Sequence, residues 1–134
     1  MKKGFTLVEI LVVTTIIVLM TAAATITYTA FLKQSRDAKR KADLGQISAA
    51  LEMYRSNNDT YPTTGLSPLT TPTVYIQSIP TDPKSSSYTY YYYSATGSDY
   101  TLAAHLESVA ITCQSLATQC TSNCTYCLGP YGQK

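Results

Sequence analysis

The chain has 134 residues, including 10 Lys or Arg, 8 Asp or Glu, a single histidine and four cysteines. This length allows one domain with an anchor. The near-neutral charge balance disfavours a nucleic-acid-binding domain, so we expect no direct nucleic-acid partner. One histidine and the lack of a glycine-rich phosphate loop disfavour a His-based catalytic or metal site. We therefore expect no enzyme, no cofactor and no resident metal.

The chain begins with a basic leader that is followed by a long apolar run. Lys2, Lys3 and Gly4 precede Phe5, and residues 10–32 carry no charge. As a helix this run would be about 35 Å long, enough to cross a bilayer core of about 30 Å. Because basic residues tend to stay on the cytoplasmic side, the pattern predicts a single pass of the cytoplasmic membrane with the rest of the chain exported.

Glu9, just before the uncharged run, separates three interpretations of this segment. A cleaved secretory signal could use Ala22, Ala23 and Ala24 as its cleavage region, but its apolar region is usually only about 7–15 residues. A plain membrane anchor fits the length but gives no reason for the carboxylate, which is costly in hydrocarbon and usually marks function. The third interpretation comes from a resemblance to a known family.

Residues 3–9 (KGFTLVE) resemble the processing site of type IV prepilins and type II secretion pseudopilins, the class III prepilin signal. The resemblance implies that prepilin peptidase cleaves after Gly4, which makes residues 1–4 a leader, and that Phe5 is then N-methylated. It also implies that Glu9, the fifth residue of the cleaved chain, acts with Phe5 in subunit assembly. A buried carboxylate requires an opposite charge, and the amine of Phe5 on a neighbouring copy would supply it.

Residues 5–32 are predicted to be the transmembrane or filament-core part of a helix that continues, amphipathic, over residues 33–57. In this second part the apolar residues recur at helical spacing and mark the face that a head would cover. They are Leu44, Ile47, Leu51 and Tyr54. The polar residues 57–59 (NND) predict the end of the helix. The whole helix would be about 80 Å long, too long for a small head to cover.

Five cations lie between residues 33 and 41, against one acid. They are Lys33, Arg36, Lys39, Arg40 and Lys41. One interpretation is a contact surface for acidic groups of neighbouring subunits or for lipid headgroups. The other is a solvated helix face beside the membrane. Independently of this choice, Asp37 and Lys41 are spaced as an i, i+4 pair of the helix.

Residues 58–134 are expected to form the globular head, which begins with a proline-rich loop over residues 58–87. Its turn at residues 79–83 (IPTDP) resembles the head of the major pseudopilins. Some pseudopilins bind calcium through a loop that is dense in acids. Only Asp82 and Asp99 are available here, so we assign no metal ligand.

A β-hairpin is predicted over residues 88–107. Its strands are Tyr88–Ser94 and Tyr100–Leu106, both rich in strand-favouring residues, and Thr96–Ser98 has the composition of a turn. We expect one face of the hairpin to cover the apolar face of the helix. The tyrosines of the first strand suggest surface adhesion, but strand alternation places about half of them in the core, which is the interpretation we favour. His105 is expected on the outer face, without a ligand role.

The C-terminal tail, residues 108–134, contains all four cysteines. Their spacing, with no histidine nearby, fits a zinc site poorly, and the context of a thioredoxin-like redox pair is absent. Beyond a membrane anchor they are expected to form two disulfides, whose connectivity the sequence leaves open. The candidates are Cys113, Cys120, Cys124 and Cys127. Residues 128–132 are expected to fray.

Together these patterns predict an α+β fold, in which a long N-terminal helix packs against a small antiparallel sheet with a disulfide-bearing tail. The expected function is structural. The chain would reside in membrane lipid and then form a homo-oligomeric, type IV pilus-like helical filament at the cell surface, with the pilus or type II secretion machinery as its partner. The alternatives are a major pseudopilin of a type II secretion system and a monomeric, membrane-anchored binding module.

Overall fold

The computed structural model describes residues 4–109, Cys113, Cys120 and residues 124–134. The described part contains one long helix and a four-stranded antiparallel sheet. In chain order these elements are α1 (Leu7–Asn58), β1 (Tyr91–Tyr93), β2 (Thr101–Ala104), β3 (Tyr126–Gly129) and β4 (Gly132–Gln133). The prediction of a long helix on a small antiparallel sheet is confirmed.

Helix α1 ends at the polar residues that predicted its end. Asp59 adopts φ 59°, and its N–H donates to the Arg55 carbonyl at 2.8 Å. The Asn58 side-chain amide donates to the Tyr54 carbonyl at 2.9 Å. Asp and Asn enter the left-handed region more readily than other residues with a side chain, so these residues stop the helix at little cost. The 52-residue helix is about 78 Å long.

The loop between α1 and β1 places its apolar residues against the helix. A short 3₁₀ helix, Ser67–Leu69, buries Leu69, whose carbonyl accepts the N–H groups of Tyr75 and Ile76 at 2.9 and 3.2 Å. Tyr75, Ile76 and Ile79 pack against the core from its edge. This loop therefore has few regular elements, but several of its apolar residues join the core beside α1.

The sheet has the strand order β1-β2-β3-β4. Tyr92 of β1 pairs with Leu102 of β2, and Leu102 pairs on its other side with Leu128 of β3. The predicted hairpin is present, but both of its strands are shorter than predicted. Tyr88 and His105 lie outside the strands and stack their rings, with 4.3 Å between the centroids.

The turn between β1 and β2 requires a glycine. Gly97 has φ 75°, and its carbonyl accepts the Tyr61 N–H at 2.8 Å. A Cβ at this position would lie 3.0 Å from the Tyr61 carbonyl oxygen. The Ser94 hydroxyl donates to the Asp99 carbonyl at 2.7 Å and accepts the Gly97 N–H at 3.2 Å, which closes the turn.

The expectation that residues 128–132 fray is wrong. They belong to β3 and β4 and to the turn between these strands, and β3 pairs with the hairpin through β2. The Cys127 carbonyl accepts the Lys134 N–H at 3.1 Å, and the Lys134 ammonium donates to Asp99 at 2.7 Å. The order of the tail comes from distant partners, which a local sequence pattern does not reveal.

The main core lies between α1 and the sheet. Leu44, Ile47 and Leu51 are completely buried, as predicted, and they pack with Leu102 and Tyr100. Complete burial of a leucine contributes about 1.5–3 kcal/mol relative to exposure. These contacts hold the sheet on the C-terminal half of the helix.

The tyrosines of the first strand are shared between the two sides of the sheet, as favoured above. Tyr90 and Tyr92 pack towards α1, and Tyr91 packs on the opposite side. Their rings fill the core while the hydroxyls reach polar partners at its edge. Tyr90 donates to Asp43 at 2.7 Å, and burial is the main cause of its raised pKa.

The outer side of the sheet contacts the disulfide-bonded cysteines of the tail. The disulfides join Cys113 to Cys127 and Cys120 to Cys124. Cys113, Cys124 and Cys127 are buried with Ala103 of β2. The prediction of two disulfides is confirmed, and the structure selects one of the three possible pairings.

Candidate assembly site

A capping box holds the N-terminus of α1. Thr6 is the N-cap, with φ −83° and ψ 149°, and its hydroxyl accepts the Glu9 N–H at 3.3 Å. The Glu9 carboxylate in turn accepts the Thr6 N–H at 3.4 Å. Threonine followed three residues later by glutamate is the sequence signature of this motif. Glu9 is thereby placed in the first turn, at the positive end of the helix dipole.

The fold itself does not require glycine at position 4. A Cβ on Gly4 would meet nothing within 4 Å, in contrast to Gly97. Phe5 is 81% exposed and Glu9 is also exposed. The structure brings Glu9 together with Thr6 of the same chain, and its predicted contact with the amine of Phe5 stays a prediction.

The described side chains in the apolar half of α1, residues 7–32, have no covering layer in the single chain. Leu19 and Met20 are each 71% exposed, and Phe31 is 66% exposed. The helix is long and apolar enough to cross a membrane. A continuous apolar surface of this size marks a contact with lipid or with other protein.

Three threonines in this apolar half satisfy their hydroxyls within the helix. Each donates to a backbone carbonyl three or four residues earlier, over 2.7–2.9 Å. They are Thr14, Thr15 and Thr21. A hydroxyl that is bonded in this way does not need water, so these residues are compatible with a dry environment.

Just beyond the apolar half, a buried ion network centred on Arg40 joins the head to α1. The Arg40 guanidinium is completely buried and contacts Asp82 through two nitrogens, at 2.7 and 3.0 Å. It also donates to Asp37 at 2.8 Å and to Glu107 at 3.0 Å. One helix side chain therefore contacts both the proline-rich loop and the segment after β2.

Glu107 brings two further cations into the network. Arg36 donates to its two carboxylate oxygens at 2.8 and 2.7 Å, and Lys84 donates to it at 2.8 Å. Asp37 accepts the backbone N–H groups of Glu107 and Ser108, at 2.9 and 2.8 Å, and also the Ser108 hydroxyl. The network therefore contains three cations and three carboxylates, so its charges balance. They are Arg36, Arg40, Lys84, Asp37, Asp82 and Glu107.

The network favours the charged forms of Glu107, Asp37 and Arg40. The hydrogen bond from Arg36 is the main reason that the pKa of Glu107 lies well below its ordinary value of 4.5. Burial opposes ionisation of Asp37, but the Ser108 hydroxyl and two backbone N–H groups outweigh it and lower the pKa. Burial also opposes the charge on Arg40, yet its hydrogen bonds to Asp82 and Glu107 raise its pKa. Removal of one partner would leave the opposite charge buried and unpaired.

Neither interpretation of the cation cluster describes its two arginines. Arg36 and Arg40 contact carboxylates of their own chain, and Asp37 pairs with Arg40 rather than with Lys41. Lys41 instead lies over the Tyr126 ring, 5.5 Å from its centroid. The sequence interpretation missed this network because the acidic partners of Arg40 lie up to 67 residues away.

One signal in the sequence could have indicated part of the network. Asp82 stands in the turn at residues 79–83, which resembles the pseudopilin head. An acid between two prolines is held in a restricted backbone, and here its carboxylate also accepts the Lys84 N–H at 2.7 Å. A fixed carboxylate in a loop that packs on a basic helix predicts an intramolecular ion pair.

Comparisons with known proteins relate both the N-terminal segment and the rest of the chain to one family. A family model described as "Prokaryotic N-terminal methylation motif" matches residues 1–25. A second, described as "Type IV minor pilin ComP, DNA uptake sequence receptor", matches residues 27–123, which is more than half of the chain. The chain belongs to the type IV pilin family.

A curated relative of this pilin extends the relation to secretion systems. The type II secretion system core protein G of Pseudomonas aeruginosa is 33% identical over 103 residues, which cover 66% of this chain and 72% of the relative. No solved structure matches the chain significantly.

Membership of this family explains why the apolar half of α1 is exposed in the single chain. The chain is a pilin-like filament subunit, and the family implies assembly into a pilus or a secretion filament by dedicated machinery. Pilin-family domains are structural. The apolar half of the helix and the pilin signal indicate membrane anchoring before assembly into a surface filament.

Proposed function

We propose that this pilin is made as a precursor with a single membrane pass, cleaved between Gly4 and Phe5 by prepilin peptidase, N-methylated on Phe5 and then polymerised through α1. One observation carries the proposal: the head packs on one face of residues 37–58, while the apolar side chains that the structure describes within residues 7–32 are exposed in the single chain. Polymerisation would exchange lipid for neighbouring helices around the same apolar side chains.

Cleavage would change the electrostatics of the first turn. It places a cationic amine on Phe5, directly before the N-cap Thr6 and four residues from Glu9. The Glu9 carboxylate already lies at this end of the helix, where its capping contact with Thr6 is long and exposed. Transfer into a dry filament core favours a full ion pair over a weak capping contact, so Glu9 would bind the amine of an adjacent copy.

The experiment that tests processing is intact-mass measurement and N-terminal sequencing of the protein from its native membrane and surface fractions. We expect a start at methylated Phe5. A start after the region of Ala22–Ala24 would instead show a secreted soluble domain, and an intact Met1 would show a plain anchor. Replacement Gly4→Ala is expected to slow cleavage without any change in folding, because the fold leaves room for a Cβ there.

The role of the Glu9 charge can be separated from its role in capping. Glutamine also serves as the third residue of a capping box, so Glu9→Gln keeps the capping contact and removes only the charge. We expect this variant to be processed and inserted normally but to yield at least about tenfold less sheared filament, in line with the loss of a buried ion pair. Normal filament yield from Glu9→Gln would contradict the proposed pair.

A second candidate function, subunit of a type II secretion pseudopilus, is favoured by the similarity to core protein G. The two candidates share processing and assembly but differ in the machinery that uses the filament. Deletion of the chromosomal gene distinguishes them: loss of surface filaments with normal export indicates a pilus, and accumulation of exoproteins in the periplasm indicates a pseudopilus.

The described head gives no independent support for a DNA-receptor role of the kind named in the matching minor-pilin model. Arg36 and Arg40 are engaged by carboxylates, and Arg55 donates to the Tyr61 hydroxyl at 3.0 Å. The donors of Arg36 and Arg40 are directed at carboxylates of their own chain. We likewise propose a structural rather than an enzymatic role, with homo-oligomeric contacts as the main interactions.

A further inference from the structure

Most charged side chains of the head are engaged within the chain. Among the described residues from Lys33 onward, three charged side chains are exposed and have no hydrogen bond, ion pair or ring contact within the chain: Lys33, Lys39 and Asp59. The same part of the chain holds the Arg40 network, and its other charged groups contact hydroxyls, rings or opposite charges. Lys33, Lys39 and Asp59 therefore differ from the other charged side chains of the head, because they have no partner within the described part of the chain.

These groups lie at opposite ends of the head. Lys33 and Lys39 are at the end next to the apolar half, and Asp59 caps the distal end of α1. Between Lys39 and Asp59 the helix rises about 30 Å, close to the length of helix that the head covers, residues 37–58, about 33 Å. The C-terminal dipole of α1 adds negative potential at the Asp59 end. The head thus has a positive end and a negative end that are separated by its own length.

We propose that in the filament Lys39 contacts Asp59 of a second copy that lies one head length nearer the membrane. Lys33, about 9 Å from Lys39 along the helix, adds positive potential at the same end of the head. This inference rests on the proposed function, because only parallel copies in a filament bring these ends together. A parallel copy displaced by about 30 Å along the axis places the two groups at the same level. The contact joins different surfaces of the two copies, so a joined pair still has one free positive end and one free negative end, and growth remains open.

The axial contact and the Glu9 contact would join different pairs of copies. Glu9 lies four residues from Phe5, which corresponds to an axial displacement of about 6 Å along a helix. A helical filament gives each subunit several neighbours, so both displacements occur in one lattice. The apolar contact then supplies most of the adhesion, and the axial charge contact selects the spacing of the heads.

The test measures sheared filament yield from cells that carry charge variants, at low and high salt. We expect K33E/K39E and, separately, D59N to lower the yield about threefold or more at low salt, as for exposed ion pairs that repeat along a polymer. Asparagine tolerates the left-handed backbone at position 59, so D59N removes the charge without strain. The triple variant K33E/K39E/D59K should recover at least about half of the lost yield, since it restores opposite charges.

The control is K41E, which makes a single Lys→Glu substitution two residues from Lys39 on a lysine that already lies over the Tyr126 ring, and it is compared with K39E alone so that the charge change is the same. We expect K41E to leave filament yield within about twofold of the wild type. Equal loss in K41E, or no recovery in the triple variant, would overturn the axial contact. Loss of binding of the unassembled K33E/K39E chain to vesicles of phosphatidylglycerol, with normal yield from D59N, would assign the lysines to lipid and also overturn it.

Measurement of processing separates this inference from the proposed function. Each variant is tested for a start at Phe5, and the Glu9→Gln chain serves as the assembly-defective reference. If the wild type forms filaments normally and the charge variants give the same yield, only the axial contact is overturned. A wild-type chain that is neither cleaved nor assembled would overturn both.

Discussion

Residues 7–32 and residues 37–58 belong to one continuous helix, but the side chains that the structure describes in these two halves have opposite surroundings. In the first half Leu19 is 71% exposed, and in the second half Leu51 is completely buried. The second half finds its apolar contacts within the chain, whereas the first half can find them only in lipid or in other copies. The comparison shows that folding of the single chain and assembly of the filament depend on separate sets of residues, which substitutions should separate.

The largest expected effect is at the junction of the two halves. Arg40→Met removes the central cation and leaves Asp37 and Asp82 with fewer partners in a buried site, so we expect a loss of about 3–5 kcal/mol in the free energy of unfolding. Thermal and urea unfolding of the full chain in detergent micelles measures it. Lys39→Met, one residue away and exposed, is the control, and its change should stay within about 0.5 kcal/mol. Similar effects of the two substitutions would show that the network does not hold the head.

Truncation of one leucine in each half tests the comparison directly. Leu51→Ala opens a cavity in the core and should cost about 2–5 kcal/mol in the unfolding of the head, because the leucine is completely buried. Leu19→Ala should change that unfolding by less than about 0.5 kcal/mol, since Leu19 has no contact in the head. Its effect should instead be seen as a lower yield of sheared filament. A large effect of Leu19→Ala on monomer unfolding would contradict the separation.

Acid pH should lower the free energy of unfolding of the head that packs on residues 37–58. The pKa values of Glu107 and Asp37 are lowered in the folded chain, so unfolding takes up protons at acid pH. Their stabilisation is complete above the unfolded values near 4 and is lost as the pH falls towards the folded values, by up to about 1.4 kcal/mol per pH unit for each carboxylate. Urea unfolding between pH 5 and pH 2.5 measures this slope. Glu107→Gln should make it shallower, and an unchanged slope would argue against the assignment.

The smallest expected effects concern two glycines, one in the head and one on α1. Gly97→Ala should destabilise the head by about 1–2 kcal/mol, because the position has φ 75° and a Cβ would approach the Tyr61 carbonyl. Gly45→Ala should stabilise the helix by about 0.5–1 kcal/mol, since a Cβ there meets nothing within 4 Å. Thermal unfolding of the two variants should therefore shift in opposite directions.

Local features of the chain were predictable to the extent that neighbours in sequence determine them. Leu44, Ile47 and Leu51 recur at helical spacing and form the buried face, and the residues around Asp59 end the helix as expected. The Thr6–Glu9 capping box could also have been read from the sequence, because both residues lie in one turn.

Distant contacts were not predictable, because nothing in a short window specifies them. Residues 128–132 were expected to fray, yet they belong to a strand pair in which β3 pairs with β2 across more than twenty residues. Arg40 looked like part of a solvated or partner-binding surface, yet its partners Asp82 and Glu107 are 42 and 67 residues away. Such contacts depend on which segments the fold brings together.

The sequence by itself determined the pilin character of this protein, since the leader, the apolar run and Glu9 are adjacent and act through local chemistry and length. It also determined the covered face of α1, through helical periodicity. Only the tertiary structure decided the disulfide pairing, the order of the tail and the assignment of each charge to an internal or an external partner. The physical reason is that burial and charge pairing depend on proximity in space, which residues far apart in the chain acquire only when the head folds onto the helix.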